Sequence, residues 1–120
     1  MNTDKPYDLG ERTFLFALSV AKLVNKLPKT LSNIEYSKQV IKSSGSVGAN
    51  YIEANENLGE KDVLFRFKVC RKEAKESAFW LRLLKATNDE SLHDEFDELI
   101  KEANELKKIF NSIINKKTIK

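Results

Sequence analysis

Two long segments of the chain repeat apolar or small residues at alternating spacings of four and three. The first carries Val63, Phe67, Cys70, Ala74, Ser77, Leu81 and Leu84, and the second carries Leu92, Phe96, Leu99, Ala103, Leu106, Phe110 and Ile113. A spacing that averages 3.5 residues keeps one stripe of a helix facing a nearly antiparallel neighbour. The two segments therefore predict a pair of long helices that pack against each other along their length.

Capping residues and prolines place two more helices before this pair. Asp8, followed by Glu11, predicts the start of a first helix, which Pro28 ends. Ser32 followed by Glu35 is a capping-box pattern for the start of a second helix.

The second helix is expected to run toward Gly59, a candidate left-handed C-terminal residue. The segment 88–91, of sequence Asn-Asp-Glu-Ser, supplies a turn and a cap before the fourth helix. The fold class predicted is all-α, an antiparallel up-down four-helix bundle. It forms a single domain over residues 1–120, with helices at approximately 9–27, 33–57, 61–88 and 91–116.

The composition of the chain limits the cellular compartment in which it can function and the metal or disulfide chemistry that it can support. The chain has 120 residues, a net charge of +3 and one cysteine, Cys70, which cannot form an internal disulfide. Its longest run without a charged residue, 43–52, is far shorter than the roughly 20 residues that span a bilayer. We therefore expect a cytoplasmic protein with no membrane association. The sole histidine, His93, has no second histidine to share a metal, and we expect no metal and no cofactor.

Two of the helices carry a second apolar stripe. The second helix has Ile41, Gly45, Gly48 and Ile52 beside the stripe that begins at Val40, and the first helix likewise has two stripes. One stripe suffices in a monomeric bundle, because the other face of each helix lies in water. The additional apolar stripes predict that these two helices are buried against another subunit. The alternative is that wide stripes bury more surface within one chain.

Four motifs, in order along the chain, carry a family resemblance. They read "YDLGERTFLFA", "LPKTLSN", "SKQVIKSSGSVGANYIEANE" and "RKEAKESAFWLRLL". Together they resemble the bacterial four-helix-bundle proteins encoded in intervening sequences of large-subunit ribosomal RNA genes. One departure is Val63, where the family pattern has an aromatic residue after "KD".

The resemblance implies an up-down bundle that assembles as a ring-like homopentamer and has no established enzymatic activity. A related family, the accessory protein of diversity-generating retroelements, forms a basic pentamer associated with reverse transcriptase and nucleic acid. The implied partners are therefore further copies of the chain itself, and RNA or a reverse transcriptase or other ribonucleoprotein.

Basic residues are concentrated on the third helix. Between Lys61 and Lys85 there are eight lysines and arginines against three acidic residues, and five lysines follow from Lys107 onward. Such a local excess can follow a phosphate backbone, although a solvated helix face has the same composition. The candidate nucleic-acid-binding residues are Lys68, Arg71, Lys72, Lys75, Arg82 and Lys85.

Two Glu-x-x-Glu pairs, Glu53 with Glu56 and Glu73 with Glu76, support an enzymatic alternative. Magnesium-dependent all-α nucleotide pyrophosphohydrolases hold their metal with helical carboxylate pairs. A hairpin turn near Gly59 would set the two pairs roughly 10–15 Å apart along the helices, too far for one metal ion. The same register predicts a structural ion pair between Glu53 and Arg66. A third possibility is a scaffold that binds only other proteins.

Two glycines within a predicted helix need a local explanation, because each costs about 1 kcal/mol relative to alanine. The hairpin register places Gly45 and Gly48 level with Ala74 and Arg71. Small residues there would let two helices approach closely, or would open a slot for a side chain of a neighbouring subunit. The residues predicted to govern helix packing or assembly are Ile41, Ser44, Gly45, Gly48, Tyr51, Ile52, Ala74 and Ser77.

Overall fold

The computed structural model describes residues 8–56 and 59–118. Four α-helices account for most of them: α1 Leu9–Val24, α2 Leu31–Ala54, α3 Glu60–Ala86 and α4 His93–Thr118. One turn of 3-10 helix, Glu90–Leu92, precedes α4, and the described residues contain no strand. The all-α prediction is confirmed. The helix boundaries differ from the predicted ones by up to three residues, and residue 57, the expected end of the second helix, lies outside the described residues.

The first two helices begin at residues whose side chains accept backbone hydrogen bonds. Asp8 accepts a hydrogen bond from the Gly10 N–H and caps α1, as predicted. The cap of α2 is Thr30, whose hydroxyl oxygen accepts from the Asn33 N–H at 3.1 Å. The predicted capping box at Ser32 is therefore wrong, because the helix starts one residue before Ser32.

The turns before α3 and α4 use Gly59 and Asp89. Gly59 has a φ of +133° and a ψ of 152°, a backbone conformation that favours glycine, and it precedes α3 as its N-cap. It is not the left-handed C-terminal residue of α2, which ends at Ala54. Asp89 accepts a hydrogen bond from the Ser91 N–H, so the predicted turn and cap in segment 88–91 are confirmed.

Contacts between successive helices show the up-down arrangement. Ser43 on α2 bonds to Ser77 on α3 at 2.8 Å, and farther along the same pair the Cys70 thiol donates to the Val47 carbonyl. As residue numbers rise on α2 they fall on α3, so the two helices are antiparallel. The pair α3 and α4 is antiparallel in the same way. Helices α1 and α4 close the bundle less extensively.

The core follows the two seams predicted from the sequence. All seven residues of the α3 seam are buried, and on α4 Phe96, Ala103, Leu106 and Phe110 are buried. Leu92, Leu99 and Ile113 pack against this core from partly exposed positions. None of the helices among the described residues is both long and apolar enough to cross a membrane.

Candidate nucleic-acid interface

Basic side chains from two helices line one open groove. Lys68, Arg71, Lys72 and Lys75 form its α3 wall, and Lys107, Lys108 and Asn111 form its α4 wall. We call it the lysine groove. Its volume is about 560 Å³, and among the described residues its lining contains six cationic side chains and no carboxylate. Four of the six predicted nucleic-acid-binding residues are thus brought together.

A hydrogen bond joins the two walls of the lysine groove. The Arg71 guanidinium donates to the Asn111 side-chain oxygen at 2.7 Å, which restrains a side chain that would otherwise sample many rotamers. Asn111 was not among the residues predicted from the sequence. The antiparallel register of α3 and α4 could have found it, since Lys85 lies against Asp97 fourteen residues farther along the same two helices.

Arg82 and Lys85, the remaining predicted contacts, lie outside the lysine groove. The Lys85 ammonium is 2.7 Å from the Asp97 carboxylate, which neutralises its charge locally. Arg82 is exposed farther along α3. The structure therefore favours a shorter and two-sided basic surface over a stripe that follows α3 alone.

Carboxylates approach the lysine groove from its outer edges. The Lys72 ammonium lies 3.8 Å from Glu73 and 3.9 Å from Glu76, and Lys108 lies 3.9 Å from Glu105. These are long, exposed pairs, which typically contribute little to stability. Burial, followed by the nearby charge of Glu76, raises the pKa of the Glu73 carboxyl, and Lys72 opposes that shift. Lys68, Lys75 and Lys107 are the lysines of the groove that form no ion pair within the described residues.

The Glu-x-x-Glu pairs do not converge. Glu53 and Glu56 are exposed, and Glu73 and Glu76 share Lys72 instead of facing them. Within residues 8–56 and 59–118, no group of three or more histidine, cysteine, aspartate or glutamate side chains could hold a metal ion.

The predicted ion pair between Glu53 and Arg66 is not formed. The Arg66 guanidinium donates to the Asn50 side-chain oxygen at 3.0 Å and lies 3.7 Å from Asp62 on its own helix. The physical reason is the length of the arginine side chain. Asn50 lies nearly one helical turn before Glu53 on α2, and the Arg66 side chain extends along the helix as far as Asn50.

The two glycines of α2 have different surroundings, and neither lies at a close approach of α2 to α3. A Cβ atom on Gly48 would lie 3.0 Å from the Thr13 hydroxyl oxygen, so Gly48 allows α1, and not α3, to approach α2 closely. A Cβ atom on Gly45 would meet nothing within 4 Å, and Gly45 is exposed. The close approach of α2 to α3 occurs instead at the buried residues Ser43, Cys70 and Ser77.

The predicted packing and assembly residues fall into two groups. Ser44, Ala74 and Ser77 are fully buried within the chain, and the partly buried Tyr51 ring packs at a tilt against Phe67 and Phe110. These residues pack helices of one subunit. Ile41 and Ile52 remain 46% and 59% exposed, which leaves them available to a partner.

Cys70 is buried and chemically protected. Burial raises the pKa of its thiol from 9.0 to about 12, and the thiol donates to the Val47 carbonyl at 3.4 Å. The nucleophile in thiol reactions is the thiolate, which is scarce at neutral pH when the pKa is this high. Cys70 therefore packs the core as a small apolar side chain.

We expect the folded protein to react with a thiol reagent at pH 8 at least about 100-fold more slowly than the urea-unfolded chain. The difference is measured by comparing the rate of the reaction with the thiol reagent in the folded protein, without urea, and in the chain unfolded by urea. Because the unfolded chain loses the thiol proton at a lower pH than the folded protein, stability should also fall as pH rises above about 9. Equal rates in the folded and unfolded protein would show that Cys70 is accessible.

An antiparallel helical bundle with a lysine-lined surface groove defines the class of this protein. Residues 6–112 match the family described as 23S rRNA-intervening sequence protein, and the chain belongs to that family. The resemblance carried by the four sequence motifs is thereby confirmed.

A solved structure agrees with this assignment. The chain is similar to a protein of unknown function from the S23 ribosomal protein family of Bacteroides thetaiotaomicron VPI-5482, with 27% sequence identity and a TM-score of 0.74. The match covers 88% of this chain and 96% of the other. A comparison with curated proteins gives no match.

Proposed function

We propose that the protein is a non-enzymatic, cytoplasmic homo-oligomer that binds the phosphate backbone of RNA, alone or within a ribonucleoprotein, through the lysine groove. The observation that carries the proposal is the convergence of six cationic side chains from two helices on one open groove. Membership of the 23S rRNA-intervening sequence protein family makes RNA the first polyanion to test. The lone buried thiol of Cys70 suits a reducing compartment.

The chemistry of the lysine groove favours phosphates over bases. Lysine ammonium groups attract phosphate as point charges, and an arginine can donate two hydrogen bonds to one phosphate. From Lys68 to Lys75 the groove follows roughly 10 Å of helix, about the axial rise of three consecutive nucleotides in one strand. Its described lining contains no aromatic side chain on which a base could stack. Binding should therefore depend on backbone shape and charge, with weak sequence preference.

The decisive measurement is a titration of fluorescent RNA at several salt concentrations. We expect affinity to fall steeply with salt, because bound lysines release counterions from the phosphates. Lys68, Lys75 and Lys108 changed together to Glu should weaken binding at least about 100-fold at 0.1 M salt. This set reverses charges on both walls of the groove and leaves the Lys72 ion pairs in place.

A matched control separates the groove from overall charge. Changing Lys22, Lys29 and Lys101 to Glu alters the net charge by the same amount at exposed positions outside the lysine groove. The control should retain most of the affinity. Equal losses in both variants would mean that binding follows net charge alone, and no RNA binding by the wild type at low salt would leave a scaffold for other proteins as the function.

The homo-oligomer, a pentamer by analogy with the resemblance described above, is supported by apolar side chains that the chain does not bury. Ile41, Ile52, Phe65 and Phe79 are all about half exposed or more. Burial of these side chains between subunits would remove apolar surface from water, which favours association. A ring would also bring several lysine grooves onto one assembly, which multiplies the affinity for a long RNA. Sedimentation of the purified protein tests assembly directly, and a monomer at micromolar concentration would exclude it.

A further inference from the structure

The six cationic residues of the lysine groove are not equivalent. Lys72 and Lys108 lie near carboxylates at its edges, with Glu76 3.9 Å from the Lys72 ammonium and Glu105 3.9 Å from the Lys108 ammonium. Arg71 and Lys107 are half-buried and the other four cationic residues are exposed, so these two lie deepest in the groove. Four of the six form no ion pair within the described residues, namely Lys68, Arg71, Lys75 and Lys107.

These four unpaired cations are unevenly distributed along the groove. Arg71 bonds to Asn111 across α3 and α4, and because the helices are antiparallel, Lys107 lies level with Lys75 on the opposite wall. At the helical rise, Arg71 lies roughly 6 Å and Lys68 roughly 10 Å from Lys75 along α3. One end of the groove therefore holds two facing lysines, and each of the two following levels holds one unpaired cation.

This distribution does not match the interior of an RNA strand. Each internal phosphate carries one negative charge, and about three of them would lie beside the roughly 10 Å between Lys68 and Lys75. Four unpaired cations would then face about three evenly spaced charges. A 5′-triphosphate end differs, because its terminal phosphate alone carries a charge of about −1.5 to −2. Its three phosphates are linked directly, so they lie closer together than phosphates separated by a ribose.

We propose that the lysine groove binds the 5′-triphosphate end of an RNA strand, with the terminal phosphate between Lys75 and Lys107. The inference rests on the proposed function and names the part of the RNA that the groove recognises. The next two phosphates lie beside the Arg71 guanidinium, which can donate two hydrogen bonds to one phosphate and which the Asn111 side chain restrains. The first internal phosphate then lies beside Lys68.

The remaining properties of the lysine groove agree with recognition of an end. Its described lining offers no aromatic side chain for a base, and a triphosphate contains no base and needs only N–H donors. Its volume of about 560 Å³ lies within the range of sites for small ligands. A compact group of linked phosphates can therefore occupy the groove while the bases remain outside it.

Two RNAs of equal total charge test the preference for an end. One carries a 5′-triphosphate, and the other has a 5′-hydroxyl and is lengthened with further nucleotides until its charge is the same. Each is labelled at its 3′ end and titrated with the full chain at about 0.1 M salt. We expect the triphosphate RNA to bind at least about 10-fold more tightly, because its terminal phosphate receives charge-assisted hydrogen bonds that an internal phosphate lacks.

Neighbouring lysines provide matched variants. Lys107→Gln and Lys108→Gln each remove one positive charge from the α4 wall, but only Lys107 faces Lys75 at the proposed position of the terminal phosphate. Lys107→Gln should abolish most of the preference for the triphosphate RNA, whereas Lys108→Gln should weaken both RNAs equally and keep the preference. Asn111→Leu, which leaves the net charge unchanged, should also lower the preference because it releases Arg71. Circular dichroism checks that each variant retains its helix content.

The outcomes separate this inference from the proposed function. Equal affinities for the two RNAs would overturn the recognition of an end and leave binding of the phosphate backbone standing. An equal loss of preference in Lys107→Gln and Lys108→Gln would overturn the position of the terminal phosphate. Inorganic triphosphate that displaces the triphosphate RNA at equal molar concentration would refute RNA as the source of the bound triphosphate. No binding of either RNA at low salt would refute the proposed function itself.

Discussion

Replacing Gly48 with leucine is expected to lower the free energy of unfolding by about 3 kcal/mol. A Cβ atom at this position would lie 3.0 Å from the Thr13 hydroxyl oxygen and 3.3 Å from the Thr13 Cβ. Thr13 is 1% exposed, and its hydroxyl donates to the Leu9 carbonyl at 2.7 Å, so it cannot move aside without breaking that bond. The larger side chain must therefore push α1 away from α2. Urea unfolding followed by circular dichroism measures the loss.

Gly45 provides the matched comparison on the same helix. Nothing lies within 4 Å of a Cβ atom there, so Gly45→Ala should raise the stability of α2 by about 0.5–1 kcal/mol through helix propensity alone. Each unfolding curve should be measured at two protein concentrations, because a contribution from assembly depends on concentration and a packing clash within one chain does not. A Gly48→Leu protein as stable as the wild type would show that α1 does not pack against Gly48.

The long-range architecture was predictable because the helices are long and their apolar spacing is regular. On α3 every residue of the predicted seam, from Val63 to Leu84, is buried. On α4 the pattern shifts at its end, where Ile114 is buried and Ile113 only partly so. That shift is expected, since a straight helix turns by about 20° per heptad relative to a 3.5-residue repeat.

The surroundings of the glycines were not predictable, because α2 has two neighbours. The hairpin register between α2 and α3 was close to correct, as the bond between Ser43 and Ser77 shows. A register gives the level of a residue along the helix, however, and does not say which neighbour the residue faces. Gly48 lies on the side of α2 that meets α1, and the contact with Thr13 has no signature in the sequence of either segment.

The partners of individual surface ion pairs also could not be predicted from the sequence, and the reason is energetic. Several partners lie within reach of a long side chain, and exposed pairs differ by less than about 1 kcal/mol. Arg66 accordingly bonds to Asn50 where Glu53 was expected. The lysine groove was more predictable because it depends on many charges: four of its residues on α3 were identified, and the tail that begins at Lys107 was recognised as basic.

Substitution of Asn33 with leucine should lower the free energy of unfolding by about 3 kcal/mol. Asn33 is 3% exposed and ties the loop between α1 and α2 to the end of α3. Its side-chain N–H groups donate to the Pro28 carbonyl and the Asn88 side-chain oxygen, each at 2.9 Å, and its own oxygen accepts from the Asn88 amide at 2.7 Å. Leucine would remove all three bonds and leave the Pro28 carbonyl without this donor. Urea unfolding monitored by circular dichroism again measures the change.

The neighbouring residue gives the control, and a second substitution tests the coupling. Ser32 was the cap expected from the sequence, but its hydroxyl makes no hydrogen bond within the described residues, so Ser32→Ala should change stability by less than about 0.5 kcal/mol. Because Asn33 and Asn88 bond reciprocally, Asn88→Ala in the Asn33→Leu protein should cost much less than Asn88→Ala in the wild type. Strictly additive losses would mean that the two amides stabilise the fold separately, and that the bond between α2 and the turn after α3 contributes nothing of its own.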